Sequence, residues 1–173
     1  MMRQNRRNRR QGSVMVEFAL AGVVAITMLI TTVQLSIGLW HYHTLAYAVH
    51  EATRYASVHG RGCVTGTASC GITIGNIVTR IKTDAVGMPD TALNVTLTTD
   101  SGAVTTCNPI TSCSSNSTRW PPTSNMDNFT GKRVVITASY TFNHNMLIVW
   151  PGSFSQRLNS FVLPASSTET IVF

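Results

Sequence analysis

Charge is scarce in this sequence, and it is unevenly placed. Only 12% of the 173 residues are charged, and seven carboxylates face 13 lysines and arginines. A single acid, Glu17, precedes Glu51. From Phe18 to Trp40 there is no charged side chain and no proline. Those 23 residues extend about 35 Å as a helix, enough to cross a hydrocarbon core about 30 Å thick. The scarcity also bears on catalysis. The acids after the apolar run are Glu51, Asp84, Asp90, Asp100, Asp127 and Glu169, and no pair has a spacing that implies joint work. No G-x-S-x-G, H-E-x-x-H or phosphate-loop pattern occurs. The chain is expected not to be an enzyme, and no cofactor is implied.

The formal charge of +6 suggests nucleic acid until it is located. Arg3, Arg6, Arg7, Arg9 and Arg10 supply five of the 13 basic residues, so the remainder is nearly neutral. This tail lacks interleaved aromatics and any recognisable nucleic-acid motif, so no nucleic-acid partner is expected. A secretory signal would also begin with basic residues, but its apolar region is shorter and ends in a small-residue cleavage site, which is missing here. The arginines are therefore read as a topology signal. They stay in the cytoplasm, the helix crosses the bilayer once, and everything downstream is translocated.

The four cysteines, Cys63, Cys70, Cys107 and Cys113, all follow the apolar run. An even count in a translocated domain suggests disulfides. The local pairing closes two small loops; a crossed pairing would staple two regions together. Neither spacing is that of a zinc site, and His41, His43, His50 and His59 do not converge on one helical face with a cysteine, so no metal is expected. Those histidines are read as interface or surface residues.

In chain order, Ser13 is a candidate cap and nothing breaks a helix until Gly60-Arg-Gly62, which predicts one helix over residues 13–59 with its membrane part at about 14–40. Trp40 and Tyr42 suit the outer headgroup level. Beyond them Tyr42, Leu45, Val49, Ala52 and Ala56 form a stripe at three- and four-residue steps, with His43, His50, Glu51 and Arg54 off it. A short amphipathic helix is expected over residues 74–85. Strands are expected at Leu93–Leu97, at 103–106, and at Arg133–Phe142, where Val134, Ile136, Ala138, Tyr140 and Phe142 share a face. Residues 107–131 read as a long polar loop, with Trp120 as its local anchor. An apolar stretch at 143–160 is expected to cover one end of the sheet. Phe161–Leu163 and Thr168–Phe173 read as two further strands. The fold class is α+β: a long N-terminal transmembrane and amphipathic helix, then a small extracytoplasmic antiparallel-sheet head over residues 60–173 with one short helix. Asn94, Asn116 and Asn128 sit in N-x-T triplets, which match N-glycosylation acceptors but arise easily by chance in a Thr-rich chain.

Glu17 carries the functional question. A carboxylate at the centre of a bilayer costs roughly 3 kcal/mol or more unless it is paired or neutralised, so an intramembrane acid points to a role. Cutting the chain after Gly12 would make Ser13 a new N-terminus, whose amine, with a pKa of about 8, would be largely protonated. Glu17 of one subunit could then meet the Ser13 amine of the next when apolar helices stack, and this pairing would select an axial stagger.

The basic leader, then Gly12 followed by Glu17-Phe18, then the long apolar helix, resemble a type IV prepilin. The G-x-x-x-x-E-F form resembles the TadE-like branch of the tight-adherence (Flp pilus) system. Glu51-Ala-Thr-Arg54-Tyr-Ala56 and the Val134–Tyr140 strand followed by Pro151 fit that branch. The resemblance implies a leader at residues 1–12 and cleavage between Gly12 and Ser13 by a prepilin peptidase. It further implies a minor pseudopilin in a bacterial inner membrane, with the head periplasmic or extracellular. The partners it implies are other pilin and pseudopilin subunits, the inner-membrane assembly platform and the lipid bilayer. Major Flp pilins are much shorter than this chain, which favours a minor subunit. The alternative is an uncleaved single-pass anchor carrying an extracytoplasmic binding or sensor domain.

Overall fold

A computed structural model describes residues 4–60, 71–143 and 160–172, with the side chains of residues 4–13 and of Asn143 left aside. Helix α1 runs from Gln4 to Ser57. It therefore starts nine residues before the expected cap at Ser13. Arginine and glutamine are good helix formers, and a single glycine costs only about 1 kcal/mol inside a helix, so Gly12 does not stop it. By internal packing the chain forms two units, divided on α1 between Ile37 and Gly38. The described part of the first is the helix up to Ile37.

The second unit is an α+β domain. Helix α2 (Ile74–Asp84) is followed by a four-stranded antiparallel sheet of β1 (Leu93–Thr99), β2 (Val104–Cys107), β3 (Arg133–Asn143) and β4 (Ser160–Thr170), in the order β2-β1-β3-β4. Short 3-10 turns at Asp90–Ala92, Ile110–Cys113 and Ser124–Met126 punctuate the connections. Alternation does the sorting. On β1 the residues Leu93, Val95, Leu97 and Thr99 point inward, and on β3 Val134, Ile136, Ala138, Tyr140 and Phe142 do the same. Their neighbours, among them Thr96, Thr98, Thr137 and Thr141, form a polar outer face. Against the inner face pack Ile74, Ile77, Val78 and Ile81 of α2 and the C-terminal part of α1. Thr73 caps α2, its hydroxyl accepting from Asn76 N.

On α1 the buried stripe is Leu45, Ala48, Val49, Ala52 and Ala56, joined by His41 and Thr53. The expected stripe was out of phase at one end. Tyr42 is 42% exposed, and His41 takes the inward position at 7%. His41 is thus not a surface histidine. Its imidazole is small enough to fit between Tyr140 and Phe142, with ring centroids at 5.3 and 5.4 Å, where a phenol in the same place would overfill the layer. Thr53 settles its buried hydroxyl by donating to Val49 O at 2.7 Å.

The C-terminal stretch also differs from expectation. The two predicted strands are one, β4, which runs through Pro164 and pairs with β3 from Asn143↔Ser160 to Arg133↔Thr170. Among the described residues β4 is an edge strand, so the N–H that proline lacks is not needed for a second ladder. The expected apolar cover at 143–160 lies almost wholly outside the described residues.

Residues 107–131 are ordered by a few local ties. Cys107 and Cys113 form a disulfide that closes a short loop and excludes a crossed pairing for these two; Cys63 and Cys70 lie outside the described residues. Trp120 is buried at 3% exposure, as its role of local anchor requires, and its backbone N–H donates to Ile72 O at 3.0 Å. Asp127 is the other tie. Thr99 Oγ1 donates to its Oδ2 at 2.8 Å, Ser101 N donates to its Oδ1 at 3.0 Å, and the Ser101 hydroxyl donates as well. Burial pushes this carboxyl up, but the bonds from Ser101 and Thr99 and the nearby Lys132 ammonium outweigh it and hold the group below the ordinary carboxylate value.

Candidate functional site

The stretch that carries the sequence-level chemistry is the first part of α1. Every residue from Val14 to Ala21 is exposed, Phe18 at 78%. None of the apolar window in this helix is buried within the chain itself, although it is long and apolar enough to cross a membrane. An all-round apolar helix without a protein cover needs lipid or other helices around it. Its polar side chains are compatible with that setting because they bond inward. Thr31 donates to Thr27 O at 2.8 Å, Thr32 to Met28 O and Ser36 to Thr32 O, both at 2.9 Å. No hydroxyl in this set needs water, which a bilayer core does not supply.

Glu17 differs because it is an acid, exposed on the same unburied surface. Ser13 and Glu17 are four residues apart on α1, hence on one face, and Phe18 lies next to it. Gly12, Ser13, Arg6, Arg7, Arg9 and Arg10 belong to the backbone of the same helix, whereas Arg3 lies outside the described residues. Residues 4–18, which hold most of the positions singled out in the sequence, thus lie on one element. The disulfide Cys107–Cys113 belongs to the sheet domain and shares no site with them.

A concave feature lies within the sheet domain and went unread in the sequence. The polar face of α2, with Asn76, Thr79, Arg80 and Thr83, lines a groove of about 530 Å³ together with Tyr55 and the loop 114–117. The spacing of those four residues at three- and four-residue steps was visible; the loop opposite them was not. Among the described residues no group of three His, Cys, Asp or Glu side chains is placed to hold a metal ion.

These features define a single-pass membrane-anchor helix followed by an α+β domain. Residues 12–54 match the family model described as TadE-like protein, in agreement with the motif around Gly12 and Glu17. That family is associated with Tad pili, is not a family of enzymes, and implies other pilus subunits as partners. No curated protein and no solved structure matches the chain.

Proposed function

We propose that this protein is a TadE-like minor subunit, a pseudopilin, of a tight-adherence type IV pilus, made as a precursor and processed between Gly12 and Ser13. The observation that carries this reading is the family match, which begins at residue 12, where the basic segment meets the apolar run, and ends at Arg54 in the amphipathic part of α1. The arginines at positions 3–10 hold the N-terminus in the cytoplasm of a bacterial inner membrane, and the sheet domain lies on the far side. A prepilin peptidase acts on the segment at Gly12. Glycine has the weakest helix preference of any residue between Gln4 and Glu17, so unwinding α1 costs least at that point. After the cut, the new Ser13 amine and Glu17 are the two charges on an otherwise apolar surface. Pairing them between neighbouring subunits sets the stagger of packed helices and spares Glu17 an unpaired position in lipid. The assembly platform and the other pilin subunits receive the processed helix.

The test is the N-terminus of the protein recovered from cells that contain a prepilin peptidase. Mass spectrometry is expected to find chains beginning at Ser13, and Gly12→Val is expected to abolish the cut. Chains that keep residues 1–12 in such cells overturn the reading in favour of an uncleaved anchor carrying a binding domain. Glu17→Ala separates the two charges' roles: cutting and membrane insertion continue, while incorporation into pilus fractions is lost. Normal incorporation would remove Glu17 from the mechanism.

A further inference from the structure

Helix α2 has two faces with different fates. Ile74, Ile77, Val78 and Ile81 enter the core, whereas Asn76, Thr79, Arg80 and Thr83 are exposed and line an open, water-filled groove of about 530 Å³. The opposite wall is the 114–117 loop, and Tyr55 of α1 closes one side. The walls are fixed to each other. Gly75 N donates to Asn116 O at 2.9 Å and Ile74 N to Thr118 O at 3.0 Å. A side chain on Gly75 would stand 2.9 Å from Ser114 O and 3.0 Å from Asn116 O, so the loop can lie this close only because residue 75 is glycine. The groove is preformed, and its size is within the range of small-ligand sites.

Its chemistry is specific. Thr79 donates its hydroxyl to Gly75 O at 2.8 Å and Thr83 to Thr79 O at 2.9 Å, so both present oxygen lone pairs to the groove. Asn116 commits its side-chain oxygen to Thr118 N at 2.9 Å, which leaves its amide nitrogen as the donor end. Acceptors on one wall and a donor on the other suit a ligand whose groups both donate and accept, and hydroxyl groups do so. Tyr55 adds a half-buried ring, held by its contact with the His59 ring at 4.4 Å. Charge rules against an anion. Arg80 is engaged by Glu51 at 3.4 Å and by Asp84 at 3.1 Å, so two carboxylates outweigh one guanidinium. The lining is also too hydroxylic for an apolar ligand, and no sheet edge enters it to pair with a peptide strand.

We propose that this groove binds a neutral saccharide, with Tyr55 under a sugar ring, Thr79 and Thr83 accepting from its hydroxyls, and the amide nitrogen of Asn116 donating. The site is independent of leader processing, so it stands or falls separately from the pilus reading. The experiment uses the full chain in phosphatidylcholine nanodiscs, prepared without glycoside detergents because their headgroups are themselves saccharides. Saturation-transfer NMR is run against glucose, galactose, N-acetylglucosamine and their disaccharides, with sialic acid and inorganic phosphate alongside. At least one neutral sugar is expected to receive saturation on its ring protons. Tyr55→Leu and Thr79→Val, with melting profiles checked against wild type, are each expected to weaken it about tenfold, the scale of one aromatic contact or hydrogen bond. If Tyr55→Leu disturbs the fold, the isosteric Thr79→Val decides. No transfer to any neutral sugar at tens of millimolar overturns the proposal, as does binding that neither variant changes. Binding only of sialic acid or phosphate, lost in Arg80→Gln, overturns it too by making the groove an anion site.

Discussion

Helix α1 is one continuous element whose two parts are built for different surroundings. From Val14 to Ile37 it is apolar all round apart from Glu17 and Gln34, and its hydroxyls turn back onto its own carbonyls. From His41 to Ser57 it is apolar on one stripe only, and Leu45, Val49, Ala52 and Ala56 are fully shielded by the domain's own core, while His43, His50 and Arg54 stay exposed. Backbone geometry is the same in both; side-chain distribution alone tells each part what to contact. Among the described residues the first part is covered by no other element, so mutations there are expected to leave the folding of the sheet domain unchanged. The second part's mutations act on folding.

The sharpest way to break that comparison is a matched pair of truncations. Leu45→Ala removes a fully buried side chain and is expected to cost about 3 kcal/mol of domain stability, read as a lower midpoint in thermal or urea unfolding. Leu29→Ala, at a residue 66% exposed, is expected to leave that midpoint unchanged. Equal effects would mean the two parts do not divide their work as described. A smaller effect is expected at Gly87, which sits at φ +84 with the Trp40 ring 2.8 Å from where a Cβ would stand. Gly87→Ala should cost about 1–2 kcal/mol through strain and displacement of that ring, with a shift in tryptophan emission. The least of the three concerns acid. Because the folded carboxyl of Asp127 lies below its ordinary value, its contribution is present above the unfolded pKa of about 4 and is lost as pH falls through the folded one. Unfolding midpoints between pH 5 and pH 3 should therefore drop more in wild type than in Asp127→Asn. Equal slopes would mean that Asp127 gains nothing from its bonds to Thr99 and Ser101.

Much of this fold could be read from spacing. The period-two pattern of Val134 to Phe142 and the period-3.6 pattern of α2 each have one strong hydrophobic solution, and the structure adopts both. Three things were not legible. Pro164 split one strand into two readings, because proline excludes a central strand and the sequence does not say that β4 is at an edge. The exchange of Tyr42 for His41 turned on the room left between Tyr140 and Phe142, a matter of three-dimensional fit. Asp127 looked like one more solvated acid in a polar loop, since its partners Thr99 and Ser101 arrive from a turn 26 to 28 residues away. At the candidate interface the motif residues were visible at once, because they are contiguous and the match at 12–54 rests on the same short stretch. The groove was not, because its two walls come from residues 73–83 and 114–117.

Pro164 has one more effect. An edge strand of eleven residues offers a row of open backbone groups to any neighbouring chain. Without the amide hydrogen of residue 164, the row is cut into two pieces, Ser160–Leu163 and Ala165–Thr170, and the second ends beside the charge of Glu169. A second copy would find fewer consecutive backbone groups to bond than an unbroken edge of eleven residues offers. The β4 edge is thereby a poorer template for sheet-to-sheet fusion with another chain.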